Sequence, residues 1–193
     1  MGGASLLPET MSTDPGPVDG DKTTDEIWFR HLFEATYRDL VAYARRRVPD
    51  DTEAHDIVSE VFTTAWRRRA ELATSSTPLP WLYGVASNMV RNQRRASKRR
   101  LRLAERLEAQ PEPTASNDPA ERPGAEIRSA LGRLSFDDQE VLRLVAWEGL
   151  SHAEAGQVLS CSPNAAAIRL HRARRRLEQA VSDEAGQQGG AAP

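Results

Sequence analysis

Two segments of the chain carry side chains suited to holding a polyanion. The first is Leu150–Leu177, where the apolar spacing predicts two short helices joined by a sharp turn at Ser160-Cys161. Pro163 suits the first position of the second helix, because proline has no backbone N–H to leave unpaired there. The pattern predicts a helix-turn-helix whose second helix enters the DNA major groove, although a solvated basic helix in an ordinary bundle would share its charge. The residues expected to contact duplex DNA are Ser162, Asn164, Arg169, Arg172 and Arg175.

The second segment, residues 80–100, places aromatic rings just ahead of amides and a run of arginines. Aromatic rings stack on unpaired bases, arginines hold the backbone, and asparagine offers both a donor and an acceptor to a base edge. The segment therefore predicts a surface for single-stranded as much as for duplex DNA. The alternative is a core tryptophan beside a solvated basic face. The residues expected to contact DNA here are Trp81, Tyr83, Asn88, Arg91, Asn92 and Arg95.

A third predicted surface is acidic. Asp56 and Glu60 are four residues apart, so both carboxylates would share one face of a helix that also carries Phe62. An acidic pair beside apolar groups predicts a protein-docking face. The alternative, which the residues alone leave open, is that Asp56 only complements the positive end of the helix dipole.

The spacing of apolar residues predicts helices and no strand, so the expected fold class is all-α. Three helices, at Asp25–Val48, Thr52–Arg69 and Pro78 to about Leu107, are expected to form a first domain. Two more, at Ala125–Leu134 and Phe136–Glu148, precede the helix-turn-helix and form a second domain with it. Two small helical domains joined by a flexible linker are therefore predicted.

The remaining segments are predicted to lack a fixed structure. We expect disorder in residues 1–24, where Gly, Pro, Ser, Thr and Asp dominate, and in the small, polar tail 182–193. The helical domains are placed at 25–107 and 125–181. Residues 108–124 contain four prolines and no large apolar side chain, which predicts a flexible linker.

The composition excludes several other classes of protein. The net charge is −2, and of the 26 basic residues only Lys22 and Lys98 are lysine, a bias that a GC-rich genome would also produce. The single cysteine, Cys161, excludes an internal disulfide and a multi-cysteine metal site. No phosphate-binding glycine loop, nucleophile motif, signal peptide or membrane-length apolar run occurs. The expected protein is therefore cytoplasmic, binds no metal or cofactor, does not insert into a membrane and is not an enzyme.

In their order, these blocks resemble the sigma factors of bacterial RNA polymerase, in the extracytoplasmic function subfamily of the sigma-70 family. The first domain is similar to region 2 of that family, through FEATYRDLVAYARRRV, AHDIVSEVFTTAWRRR and WLYGVASNMVRNQRR. The second domain is similar to region 4, through LSFDDQEVLRLVAWEGLSHAEAGQVL and the basic helix after it. The resemblance covers about 27–107 and 125–181.

The resemblance implies a promoter-specificity subunit whose partners are core RNA polymerase and promoter DNA. The family's core-binding pattern falls on Asp56, Glu60 and Phe62, and its block for unpaired −10 bases, WL-x-x-x-A-x-N, falls on residues 81–88. Region 4 would place Arg169 and its neighbours near the −35 duplex, and the linker would thread through the polymerase active-site cleft and RNA exit channel. Family members are often held inactive by an anti-sigma factor, although no residue here identifies one.

Three departures from the family pattern bear on these implied roles. His55 stands where an acid usually precedes Asp56, which removes one charge from the docking face. Glu154-Ala155-Gly156 stands where the family has E-I-A in the first helix of the helix-turn-helix, which is expected to reduce core bulk. Ala167 and Ile168 stand where a base and a small polar residue are usual, so fewer base-edge contacts are expected.

The alternative function is a free-standing helix-turn-helix regulator that binds duplex DNA without polymerase. Such a regulator would have no use for the first domain, so binding to core polymerase distinguishes the two functions. An enzyme with a DNA-binding tail would need a pocket of convergent titratable groups, which the sequence does not supply.

Overall fold

The computed structural model describes the backbone of residues 20–106 and 124–189. All regular structure in these two ranges is helical, which confirms the all-α prediction. The helices are α1 (Gly20–Arg45), α2 (Asp51–Arg67), α3 (Arg69–Leu72), α4 (Pro78–Arg106), α5 (Ala125–Arg133), α6 (Phe136–Ala146), α7 (His152–Val158) and α8 (Pro163–Gly189). We call α1–α4 the first module and α5–α8 the second module.

Helices α1, α2 and α4 of the first module pack around an apolar core. Asp50 caps α2 by accepting a hydrogen bond from the backbone N–H of Thr52 at 3.3 Å, and Pro78 opens α4 as predicted. Helix α2 ends at Arg67, two residues before the predicted end, and the single turn of α3 follows it. The residues of α2 that fill the core recur every three or four positions: Ala54, Ile57, Val58, Val61, Phe62 and Ala65.

Helix α7 and the turn after it form the first half of the predicted helix-turn-helix. Ser151 and Glu154 make a capping box, in which the Glu154 N–H donates to Ser151 Oγ and the Ser151 N–H donates to the Glu154 carboxylate. The chain then reverses at Ser160, whose φ is +53°. A Cβ at Gly156 would lie 2.8 Å from the carbonyl oxygen of Cys161. No side chain would fit at Gly156, so the glycine leaves no core space unfilled, and the expected loss of bulk is confined to Ala155, which is buried in the core.

Helix α8 begins as predicted. Ser162 Oγ accepts a hydrogen bond from the backbone N–H of Ala165 at 3.2 Å, which makes Ser162 the N-cap. One stripe of the helix is buried against α6 and α7, as the spacing predicts. The buried residues of this stripe are Ala166, Leu170 and Ala173.

Two segments that are predicted to be disordered are helical in part. Helix α1 begins at Gly20, so residues 20–24 are helical where disorder is predicted. Helix α8 continues to Gly189, so the prediction of a disordered tail is wrong for residues 182–189. Both extensions lengthen a helix that is already nucleated, and each added residue then costs little. The predicted linker lies outside the described residues except for Gly124, as do residues 1–19 and 190–193.

The two modules share one continuous apolar core, which the prediction of two tethered domains does not anticipate. Helix α7 lies against α4 so closely that a Cβ built at Gly84 would be 3.8 Å from the Cα of Val158. The second module contributes Leu144, Leu150, Ala155 and Val158 to this core. The residues of α4 in the same buried cluster are Leu82, Tyr83, Ala86 and Val90.

Candidate nucleic-acid and protein interfaces

The predicted acidic face is present on α2. Asp56 and Glu60 are both exposed, and neither forms an ion pair with a side chain in the two described ranges. The Ser59 hydroxyl donates to the backbone oxygen of His55 at 2.9 Å and so does not compete for the carboxylates. His55 itself lies near Tyr37, with 3.4 Å between Nδ1 and the phenol oxygen. Two carboxylates are therefore free to meet basic side chains of a partner.

Phe62, the third predicted docking residue, is only 5% exposed. Its ring packs against three rings of α1 in edge-on, tilted and stacked contacts, and it supports the surface from the core rather than forming it. Phe33 and Trp66 lie at the edge of the same aromatic cluster and are 39% and 36% exposed, so they are the apolar groups that a partner could contact. The cluster consists of Trp28, Phe29, Phe33, Tyr37, Phe62 and Trp66.

The predicted single-strand surface on α4 is only partly exposed. Asn88, Asn92 and Arg95 are exposed, and Trp81 is half-buried. Both asparagines and Trp81 line a cleft of about 500 Å³. The opposite wall of this cleft comes from the second module, through α7 and its turn at residues 157–160. Trp81, Asn88 and Asn92 therefore lie close together, in a cleft that they share with the helix-turn-helix.

Tyr83 is not part of this surface. Its side chain is 3% exposed, and its ring stacks on Tyr43 with 4.7 Å between centroids and 22° between planes. Burial raises the pKa of Tyr83 above its ordinary value. The prediction of a stacking platform at Tyr83 is wrong because Tyr83, Ala86 and Val90 occur at i, i+3 and i+7, which is the buried stripe of α4.

Arg91 is exposed only in part and is engaged by the second module. Its guanidinium donates to the Asp137 carboxylate at 2.8 Å and lies 5.2 Å from the ring centroid of Phe136. Arg94 approaches the same ring at 5.1 Å, and burial lowers its pKa. Arg91 therefore pairs with a carboxylate of its own chain, although the sequence predicts that it contacts a DNA phosphate.

A buried charge network at the junction of the modules was not predicted. The Tyr43 hydroxyl donates to one oxygen of Glu140 at 2.6 Å, and Arg47 Nε donates to the other at 2.9 Å. Arg47 Nη1 also donates to Glu148 at 2.8 Å, and Arg46 bonds to the same carboxylate. A signal was present in the sequence: Glu140 and Leu144 are four residues apart, which places an acid on the apolar stripe of α6.

Two more arginines, Arg94 and Arg143, lie beside this network, whose two carboxylates already pair with Arg46 and Arg47. Burial, with the nearby charges of Arg47 and Arg94, lowers the pKa of Arg143 to about 10. Several buried guanidinium nitrogens have no hydrogen-bond partner among the described residues. They are Arg46 Nε, Arg47 Nη2, Arg91 Nε, Arg143 Nε and Arg143 Nη1.

The predicted duplex-binding residues on α8 are presented differently. Asn164, Arg172 and Arg175 are exposed, Arg169 is half-buried, and neither Arg172 nor Arg175 forms an ion pair within the described chain. The Ser162 oxygen is occupied as the helix cap, which leaves its hydroxyl proton to donate outward. These side chains form one polar face opposite the buried stripe, as predicted.

No group of three or more His, Cys, Asp or Glu side chains in residues 20–106 and 124–189 is arranged to hold a metal ion. None of the helices described there is long and apolar enough to span a membrane.

Comparisons with known proteins identify both modules. The family description "Sigma-70 region 2" matches residues 32–100, and "Sigma-70, region 4" matches residues 124–177. The chain is 31% identical over 138 residues to the RNA polymerase sigma factor CnrH of Cupriavidus metallidurans, covering 66% of this chain and 72% of CnrH. It is 26% identical over 171 residues to the ECF RNA polymerase sigma factor SigL of Mycobacterium tuberculosis, covering 86% and 96%.

Solved structures agree with these sequence matches. CnrH in complex with the cytosolic domain of CnrY has a TM-score of 0.56 at 27% identity, covering 80% of this chain and 88% of that chain. The sigma factor RpoE in complex with the anti-sigma factor NepR from Bartonella quintana has a TM-score of 0.61 at 23% identity, covering 80% and 96%. At 23% identity, the match to RpoE shows a similar fold only.

Proposed function

The chain belongs to the extracytoplasmic function subfamily of the sigma-70 family of RNA polymerase sigma factors, and from this we propose how its surfaces share promoter recognition. A sigma factor of this family binds core RNA polymerase and directs it to promoters. The proposal rests on one observation: the chain presents an unpaired acidic face on α2 and two arginine-bearing faces, on α4 and α8.

The acidic face on α2 docks on core polymerase. Asp56 and Glu60 are exposed and unpaired within the described chain, and the aromatic edge formed by Phe33 and Trp66 adds apolar area. A docked partner with basic side chains would gain charge-assisted hydrogen bonds to both carboxylates. Phe62 acts from the core, where it holds the rings of this edge in place.

The exposed residues of α4 hold unpaired bases of the −10 element while the promoter opens. Asn88 and Asn92 can each donate to and accept from a base edge, and Trp81 offers a half-exposed ring for stacking. Arg95, and Arg91 once it is released from Asp137, would hold the phosphates. Trapping bases outside the duplex makes melting favourable without any covalent step, so the protein acts as an initiation factor and not as an enzyme.

The exposed face of α8 binds the −35 duplex. Arg172 and Arg175 project from the second helix of a helix-turn-helix, which is the helix that enters the major groove. Asn164 and the Ser162 hydroxyl lie at its N-terminus, where recognition helices contact base edges. Arg169 is less exposed, and Ile168 contributes an apolar contact rather than a polar one.

Size-exclusion chromatography with core polymerase tests the docking face. The wild-type chain should co-elute, and Asp56→Ala combined with Glu60→Ala should weaken that association while helical content is unchanged. A matched control, Glu178→Ala combined with Asp183→Ala, removes two exposed carboxylates from α8 and should still co-elute. Failure of the wild-type chain to co-elute would favour the free-standing regulator, the second candidate, which has no use for an acidic face on α2.

The compartment and a further partner follow from the same proposal. The protein acts in the cytoplasm, where core polymerase and promoter DNA are. The relative CnrH has been solved in complex with the cytosolic domain of CnrY, so a protein that binds this chain is a candidate partner, and the family resemblance implies an anti-sigma factor. Co-purification of the full chain from its native cell, followed by identification of bound proteins, tests this.

A further inference from the structure

The exposed side of α8 carries a large apolar side chain. Ile168 is 44% exposed, and among the residues that the structure describes it is the only large apolar side chain of α8 with so much of its surface in water. An isoleucine in this state gains only part of the free energy that full burial would provide. The remaining apolar surface is therefore available to a binding partner, and removing it should cost the fold little.

Ile168 lies on the side of α8 that faces away from the protein core. The buried stripe of the helix includes Ala166 and Leu170. Ile168 is two positions from each of them, which at 3.6 residues per turn places it about 160° around the helix from both. The residues at i, i+4, i+7 and i+11 along this outer side are all exposed: Asn164, Ile168, His171 and Arg175. These side chains are the first to meet a DNA groove when the second helix of a helix-turn-helix enters it.

Small neighbours let Ile168 approach a base pair closely. Ala165 and Ala167 end at Cβ, so neither would hold the helix backbone away from the floor of a groove. The longer side chains of Arg172 and Arg175 lie one and two turns further along α8, where they can reach phosphates or a neighbouring base. Ile168 can therefore contact the edge of a base pair without displacing the arginines.

We infer that Ile168 is a specificity-determining residue, and that it selects a thymine in the −35 duplex by packing against the C5-methyl group of that base. The inference rests on the proposed function of α8 and names the base that one position of the helix requires. Base edges in the major groove display hydrogen-bond donors and acceptors, and the thymine methyl is the one apolar group among them. A side chain with no hydrogen-bonding atom can favour no other base by direct contact.

The other bases are disfavoured at the same position. An amino group or a carbonyl oxygen that faces Ile168 loses hydrogen bonds to water and gains none, which carries a desolvation cost. Asn164 lies one turn earlier on the same side, and its amide suits the N6 and N7 atoms of adenine. Four residues of helix rise about 6 Å, which is close to two base steps of about 3.4 Å each. We therefore expect an element in which an adenine and a thymine are read about two base pairs apart.

Replacing thymine by uracil tests the inference, because uracil pairs as thymine does and lacks only the C5-methyl group. Core polymerase reconstituted with the full chain would first select bound duplexes from a library randomised at the −35 element. Each thymine of the selected element would then be replaced singly by uracil, and the affinity measured by competition. One replacement should weaken binding of the wild-type holoenzyme by about fourfold, the effect expected for one buried methyl group. With Ile168→Ala, the thymine and uracil duplexes should bind equally.

Further variants separate this contact from effects on folding or on the stiffness of the DNA. Ile127→Ala removes an isoleucine that is 56% exposed on α5, and this control should retain the difference between thymine and uracil. Ile168→Val keeps both γ-carbons and should retain part of that difference. Cytosine followed by 5-methylcytosine at the selected position restores the methyl group alone. The wild-type holoenzyme should bind the methylated duplex more tightly, whereas Ile168→Ala should bind both duplexes equally.

The inference and the proposed function fail by different results. Equal affinities for thymine and uracil at every position of the selected element would overturn the inference, as would the same loss in the wild type and in Ile168→Ala. A holoenzyme that forms but selects no −35 sequence would instead contradict the proposed function of α8, and it would remove the inference as well. The outcome that supports both is a selected element with one thymine whose methyl group matters only while Ile168 is present.

Discussion

The arginine-bearing faces of α4 and α8 are alike in sequence and unlike in the folded chain. On α4, Arg91 meets Asp137 and approaches Phe136, so the second module uses part of the basic face. On α8, Arg172 and Arg175 are exposed and pair with no side chain in the described ranges. A run of arginines therefore indicates a polyanion-binding face only where the protein's own carboxylates do not pair with those arginines.

The largest expected effect comes from breaking the network that engages the first module. Glu140→Ala leaves Arg47 buried without its main partner and removes the acceptor of the Tyr43 hydroxyl. Removing one partner of a buried ion pair costs about 3–5 kcal/mol, so the free energy of unfolding should fall by that much in urea denaturation followed by circular dichroism. Glu178→Ala on exposed α8 should change it by less than about 0.5 kcal/mol. Equal stabilities for the two variants would remove the distinction between the faces.

On the exposed face of α8, substitutions should weaken DNA binding and leave the free energy of unfolding unchanged. Arg172→Ala and Arg175→Ala should each weaken binding to a −35 duplex, by about 1–3 kcal/mol if a base edge is contacted. If only phosphates are contacted, each should reduce the salt slope by about one. Titration of labelled duplex between 50 and 200 mM salt measures both quantities. Arg38→Ala on α1 removes the same charge from the first module and should leave the slope unchanged.

On α4, substituting an exposed residue and substituting a buried one should affect promoter opening differently, although the sequence predicts DNA contact for both. Asn88→Ala should impair opening of the −10 region by about 1–3 kcal/mol, because an exposed amide that can bond a base edge is lost. Tyr83→Phe should leave opening unchanged, since the Tyr83 ring is buried against Tyr43. Reactivity of unpaired thymines in the polymerase complex reports opening directly. A larger defect in the Tyr83 variant than in the Asn88 variant would reverse the assignment of the two faces of α4.

The smallest expected effect concerns the local support of the helix-turn-helix. Ser151→Ala removes the capping box of α7 and should lower stability by about 1 kcal/mol at neutral pH. Hydrogen bonds from Ser151 hold the pKa of Glu154 below its ordinary value of 4.5, so this contribution is present above that pH and is lost as the pH falls through the lowered pKa. Thermal melts at pH 7 and at lower pH should show the gap between variant and wild type narrowing. A gap that widens on acidification would contradict the capping box.

Local chemistry made much of the fold predictable from the sequence. Ser162, Pro163 and the spacing from Ala166 to Ala173 determine where α8 begins and which stripe it buries, and all of these depend on residues within a few turns. The exposed acids of α2 were predictable for the same reason. At Gly156 the reason for a glycine is not visible in the sequence, because the side chain that it avoids would meet a carbonyl oxygen five residues away.

The junction between the modules could not be predicted by such arguments. Tyr43 and Glu140 are 97 positions apart, and no periodicity within either helix identifies the other as its partner. Arg47 is buried because two carboxylates of the second module reach it, and the sequence around Arg47 does not indicate these partners. Tyr83 reads as an exposed ring for the same reason: the side chains that cover α4 come from a distant part of the chain.

The inequality of the two arginine faces can be measured directly by the rate at which an arginine-specific dicarbonyl reagent modifies each side chain, followed by mass spectrometry. In the free protein, Arg172 and Arg175 should react quickly, while Arg47 and Arg91 react much more slowly. Equal rates at all four arginines in the free protein would contradict the account.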